Sequence, residues 1–481
     1  MRLLSTKILW TIPIIVLSVA LTIACGNAAP PAEQPDGTDA APTTESQQPS
    51  QAPATSPAAT DTPSPAPSPL AEAVPTVAAV EGVSQEATKV PTAAPTPRER
   101  PVQAATPTGA APAPTSTKPV VMDDQDWEEE LRRARINVGV WETDFSKRSV
   151  PYSEIFSGGV PRDGIPPIDD PRFVTVEEAD DWLEEKEPVI ALEIGGAAKA
   201  YPLQILTWHE IVNDTLSGVP VAATFCPLCN SAIAFDRRLD GEVYDFGVSG
   251  NLRNSDLIMW DRQTQSWWQQ LTGEAIVGEL TGARLDILPA VLVAWQDFKA
   301  TYPDAQVLSR DTGHSRNYGA NPYVGYDEFG RSPFLFSGEQ DDRLVATERV
   351  AAVTVGDKAV AFPFAFLEEA RVVHHTIEGE DLTVFFKPGA RSALDQRSIA
   401  SSREVGSTGI FLRTLDDRAL TFAAEGDDFV DKETGTRWNI FGQGVAGALA
   451  GSQLTPVVHA NHFWFAWAAF RPDTMVVQES Q

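Results

Sequence analysis

The chain has 481 residues, enough for two ordinary domains and a tail, with a formal net charge of −29 and a pI near 4.5. So acidic a surface repels phosphate backbones and argues against nucleic-acid binding. It favours solubility and leaves the fold open.

Residues 1–25 read as a secretory signal. Arg2 and Lys7 give a basic start, and Ile8 to Ile23 is an apolar run. Thr22-Ile23-Ala24-Cys25 resembles a bacterial lipobox, although Thr22 stands where leucine is expected and Leu21 lies one place further back. The pattern predicts lipidation of Cys25 and attachment to the extracytoplasmic face of the membrane. An uncleaved signal anchor is the alternative, and it also places the body outside the cytoplasm. Residues 26–118 are rich in Pro, Ala, Thr and Ser. They bury too little apolar surface to offset ordering entropy and predict a disordered stalk, spanning roughly 50–60 Å as a coil.

Three regions follow: 119–310, a connecting segment 311–345, and 346–481. Trp127 to Ile136 predicts a short amphipathic helix, and Val174 to Glu185 a helix capped by Thr175. Val189 to Ile194, Gly195-Gly196 and Lys199 to Tyr201 predict a hairpin, followed by a helix started at Pro202. Strands are predicted at Val221–Phe225, Ala232–Phe235, Val243–Phe246 and Leu257–Trp260, and a Trp-bearing helix at Trp295–Thr301. The pattern then returns: Ala352 to Val355, Gly356-Asp357, Val360 to Phe362, a helix from Pro363, strands at Leu382–Phe386 and Ile410–Leu415, and a helix at Trp464–Phe470. Leu206 aligns with Leu367, 161 positions on, and Trp295 with Trp464, 169 positions on. The expectation is an α+β fold, predominantly antiparallel β with few short helices, built as two tandem degenerate repeats packed as one unit. No Gly-rich phosphate loop links a strand to a helix, which disfavours a nucleotide fold.

The two copies differ in chemistry. Under the 161-residue shift, Cys226 falls on Lys387 and Cys229 on Ala390. A Cys-x-x-Cys spacing lets two sulfurs converge on a metal or close a small disulfide. Three readings stay open: a redox-active dithiol, a metal site and, for an exported chain, an inert bridge. His209 lies less than twenty residues upstream. With Cys226 and Cys229 it forms the expected centre, as catalytic group or as a third ligand suited to copper or zinc. Packing against backbone is the plainer role for it. Glu210 and Asp214 are placed to orient His209, while Asn213-Asp214 equally suits a turn cap. Ser249 lacks a nucleophile-elbow context, and Gly247 and Gly250 suit a bulge. Asp256 and Asp261 form a possible carboxylate pair, with loop capping the plainer role. In copy two, His374, His375, His459 and His462 raise an imidazole site, weakened because adjacent strand residues face opposite ways. The segment from His314 to Tyr326 is placed to form a lid or rim. Trp267, Trp268 and Trp295 read as core.

The blocks SGGVPRDGIPPIDDP, YPLQILTWHEIVND, TFCPLCNSAIAFDR and FGVSGNLRNSDLIMWDRQTQSWWQ resemble the signature blocks of the domain of unknown function family 3179, from about Asp144 onward. The resemblance implies no reaction, but it sets His209, Cys226 and Cys229 inside the signature blocks. The expected function is a thiol-based site for metal binding or redox exchange on an exported, lipid-anchored protein with an unknown protein partner or substrate. The alternative is a non-enzymatic surface scaffold with a structural disulfide.

Overall fold

The computed structural model describes residues 122 and 126–478. The signal segment, Cys25 and the stalk lie outside the described residues. What is described is α+β, mostly antiparallel sheet with short helices.

Local sequence rules hold at most elements. Thr175 caps the helix Val176–Asp180 through a capping box with Glu178. Pro202 and Pro363, with extended ψ of 132° and 138°, precede the helices Leu203–His209 and Phe364–Ala370. Each helix follows a hairpin, Pro188–Ile194 with Ala197–Pro202 and Arg349–Val355 with Lys358–Pro363. A later strand joins each hairpin in parallel, Gln306–Leu308 in the first and Met475–Val476 in the second. The expected strand over 243–246 is broken. Glu242–Val243 closes a small hairpin with Arg238–Leu239, and Phe246 opens a different strand, Phe246–Arg253. The reason is Arg237, whose guanidinium binds Tyr244 O and the Asp245 carboxylate and pulls the chain out of register.

Two sheets frame the site. One runs Ile287–Leu288, Ser231–Asp236, Val219–Cys226, Ile211–Leu216 in spatial order, all antiparallel. The other runs Ile155–Ser157, Phe246–Arg253, Asp256–Asp261, Trp267–Gln269, Glu274–Val277. One apolar core contains Leu206, Phe225 and Trp268 from the first region and Val350, Phe463 and Trp464 from the second. Trp267, Trp268 and Trp295 are fully buried, as core residues should be.

The same local devices occur in both regions. Asp261 accepts from Thr264 N at 2.6 Å and Trp268 Nε1 at 2.9 Å, and Asp431 accepts from Thr434 N and Trp438 Nε1 at the same distances. Asp261 is therefore a turn cap, not half of a carboxylate pair. Gly250, with φ +80°, lies in a bulge between Val248 and Leu252, where an added Cβ would stand 2.2 Å from Val160 O. Ser249 serves the same bulge, its hydroxyl accepting from Asn251 N at 3.1 Å. Gly250→Ala combines a left-handed backbone with this clash. It is expected to cost about 2 kcal/mol or more in urea unfolding, and an unchanged midpoint would refute the close approach.

Candidate functional site

Two tight hairpin turns build the site. The strand Val219–Cys226 turns through Pro227-Leu228-Cys229-Asn230 into Ser231–Asp236, with Cys226 paired to Ser231. Asn230 takes φ +50°, and Cys229 N donates to Cys226 O at 3.2 Å, which folds the Cys-x-x-Cys segment back on itself. The second turn has Asn254 and Ser255 at φ +51° and +65° between the paired residues Arg253 and Asp256. Positive φ at both central positions is the form that suits the right-handed twist of hairpin strands. It delivers Asp256 to the thiols. The ligand atoms of Cys226, Cys229 and Asp256 all lie within 4.8 Å of one another, and all three residues are buried.

The carboxylate is held on one side only. Asp256 Oδ2 accepts from Gln269 Nε2 at 2.6 Å and Leu271 N at 2.9 Å. Its Oδ1 is buried and meets no N–H or O–H donor; the Cys226 and Cys229 thiols are the hydrogen-bonding groups left to this carboxylate. Cys226 Sγ lies 3.8 Å from Ser255 O. Both cysteines are free. Two more buried acceptors near this turn lack partners, Ser231 Oγ and Gln270 Oε1.

A fourth acid completes the cluster. Glu210 ends the helix Leu203–His209 at φ +60°, its N–H donating to Leu206 O and its carbonyl accepting from Phe225 N, both at 2.8 Å. This conformation turns its side chain inward, where the Tyr323 hydroxyl hydrogen-bonds the carboxyl. Burial pushes Glu210 up to about 8, helped by the nearby charge of Asp256. Burial pushes Asp256 up to about 6 against its hydrogen bonds from Leu271 and Gln269. Burial also raises the Cys226 thiol, and the Cys229 thiol well above its ordinary value. Neither Asp256 nor Glu210 enters an ion pair among the described residues.

His209 takes no place in this cluster. One ring nitrogen contacts Pro166 O at 2.6 Å and the other the Tyr318 hydroxyl at 2.7 Å, with the His314 ring 5.4 Å away. Burial holds it down to about 4, so it is a neutral, packed histidine. The group of three side chains that the fold brings together thus has Asp256 where the sequence suggested His209. The reason is helix geometry: consecutive residues at a helix end point in different directions, and Glu210 takes the inward one. Asp214 does not orient His209. It pairs with Lys199 at 2.8 Å and accepts from Tyr201 OH at 2.8 Å. Asn213 bridges strands, binding Asp169, Phe246 N and Phe246 O. His374 and His375 face opposite ways, His374 accepting from Phe422 N at 3.1 Å and His375 packing on Phe362. Among the described residues, neither they nor His459 and His462 belong to a group of three such side chains around one point.

The sequence suggests a lid or rim from His314 to Tyr326 but does not single out Tyr323 and Tyr326 within it. A signal existed: three of the chain's seven tyrosines, Tyr318, Tyr323 and Tyr326, crowd into nine residues of the connecting segment.

A family model described as a protein of unknown function, DUF3179, matches residues 162–474, more than half of the chain. The chain belongs to that family. No curated protein and no solved structure matches it. The matched span contains all four acids of the cluster and the tyrosine-bearing segment.

Glu210 gives a pH signature. Its folded value near 8 lies above its ordinary 4.5, so its contribution favours the fold at low pH and is lost as pH rises from about 4.5 through 8. Relative to Glu210→Gln, the metal-free wild type should lose stability over that window at about 1.4 kcal/mol per pH unit, on the order of 4 kcal/mol in all. Urea unfolding of both proteins at pH 5 and pH 8 measures the difference; parallel behaviour would show that Glu210 is not buried as an acid.

Proposed function

We propose that this protein holds a zinc-type divalent cation through Cys226, Cys229 and Asp256. The observation that carries the reading is a fully buried carboxylate whose Oδ1 meets no N–H or O–H donor and has only two buried thiols beside it. Weak S–H donors compensate a buried charge poorly, and a metal ion that displaces the thiol protons supplies a stronger partner. Two sulfurs with a carboxylate oxygen suit zinc better than copper(I), which favours sulfur. Three protein ligands leave one tetrahedral position for Glu210, water or a bound molecule. Binding would release the thiol protons.

Thiol exchange with another protein is less well supported. Nucleophilic thiols are partly exposed with a lowered pKa, whereas Cys226 and Cys229 are 2% and 0% exposed and their pKa is raised. The basic start, apolar run and Cys25 support a site carried by a lipid-anchored protein outside the cytoplasm. No described helix is long and apolar enough to cross a membrane.

Elemental analysis of the purified full chain after zinc loading tests this. About one zinc per chain is expected, and it should be lost in Cys226→Ser. Asp256→Asn should weaken binding by at least about 10–100-fold, the loss that even outer partners of a metal produce. A reduction-resistant disulfide with no bound metal would leave only a scaffold domain.

A further inference from the structure

The cluster is sealed, so whatever reaches it must pass a moving element. Between the strands Gln306–Leu308 and Arg349–Val355 the chain forms no helix or strand beyond one isolated bridge at Ala320. Much of this strap is firmly tied. Trp208 Nε1 donates to Ala320 O at 3.0 Å, Asn321 N to Arg397 O at 2.8 Å, and Gly325 N to Asp395 O at 2.7 Å. The buried Asp327 pairs with Arg349 at 2.6 Å and Arg403 at 2.8 Å.

Residues 329–338 are rooted at Arg331, which donates to Gly325 O at 2.7 Å, and at Phe336, which packs on Phe465, but the rest of the stretch is more exposed. Phe329 is 76% exposed and Phe334 49%. This stretch lines a cavity of about 890 Å³, whose other wall includes Val345, Glu348 and Phe366. Two backbone hydrogen bonds pin Phe334. Its N–H donates to the Tyr326 hydroxyl at 3.1 Å, and its carbonyl accepts from Ser255 Oγ. Both latching residues lie in the surroundings of the thiols: Ser255 O is 3.8 Å from Cys226 Sγ, and Tyr326 packs in the same buried cluster as Cys226 and Cys229.

We propose that residues 329–338 are a flap that gates the dithiol–carboxylate centre, with Ser255 and Tyr326 as its latch and the adjoining cavity as the space it swings into. That the gated traffic is a metal ion rests on the reading above; the gating itself does not. The flap sets how fast ions enter and leave the site.

The test uses the metal-free full chain, with iodoacetamide labelling of the 226–229 peptide followed by mass spectrometry. Ser255→Ala and Tyr326→Phe should each speed labelling about three- to tenfold, the size of one lost hydrogen bond, and the double variant by about the product. Wild-type labelling should not change with urea well below the unfolding midpoint, because local opening exposes little surface. If labelling rises with urea in step with global unfolding, or the variants label only as fast as their lowered stability dictates, the flap is not a gate. On zinc-loaded protein, chelator-driven release should quicken in the same variants. Absence of zinc there, with latch-dependent labelling retained, would sink the metal reading and leave the gate standing.

Discussion

Four proton-bearing groups, Glu210, Cys226, Cys229 and Asp256, are buried together with no basic side chain paired to Asp256 or Glu210. Charging any of them in a dry interior is expensive, and each charge raises the cost of the next. With Asp256 at about 6 and Glu210 at about 8, the cluster is protonated throughout only at mildly acid pH, and Asp256 is the first of the four to take a charge. Elsewhere the fold handles buried acids by ion pairs or, as at Asp261 and Asp431, by N–H donors from a turn and an indole. Asp214 has Lys199, and Asp327 has two arginines. The contrast within one molecule is what sets the cluster apart.

One helix end in the second region makes the same backbone hydrogen bonds as the helix end at Glu210 but carries different chemistry. Arg371 ends its helix at φ +61°, as Glu210 does at +60°, and its N–H and carbonyl bond Leu367 O and Phe386 N as Glu210 bonds Leu206 O and Phe225 N. Arg371 lies at the position of Glu210, but it sends its guanidinium to Phe386 O and Gly426 O. Lys387 pairs with Asp297. The second region also supports the first directly: Phe463 N donates to Cys229 O at 2.8 Å, pinning the turn that carries the sulfurs.

The connecting segment makes the cluster possible. A stretch rich in Gly, Asn and Pro has no core of its own, yet Tyr318, Tyr323 and Tyr326 reach three successive points along the site. They meet His209, Glu210 and the thiol turn. Tyrosine suits this work because its ring excludes water while its hydroxyl satisfies a buried polar group. Without that cover the acids would be hydrated and unremarkable.

The sequence by itself determined the hairpins, the proline-started helices, the Trp core and the pairing of the two sulfurs, because each rests on interactions between neighbours in the chain. Alternation, caps and a four-residue Cys-x-x-Cys segment need no knowledge of distant contacts. Only the tertiary structure decided the third member of the centre. Asp256 reaches the thiols because the Asn254-Ser255 turn delivers it across from another hairpin, and His209 is excluded because its neighbour takes the inward direction at the helix end. Ligand sets are fixed by directions in space, and side-chain direction at turns and helix ends depends on backbone angles that sequence proximity does not reveal.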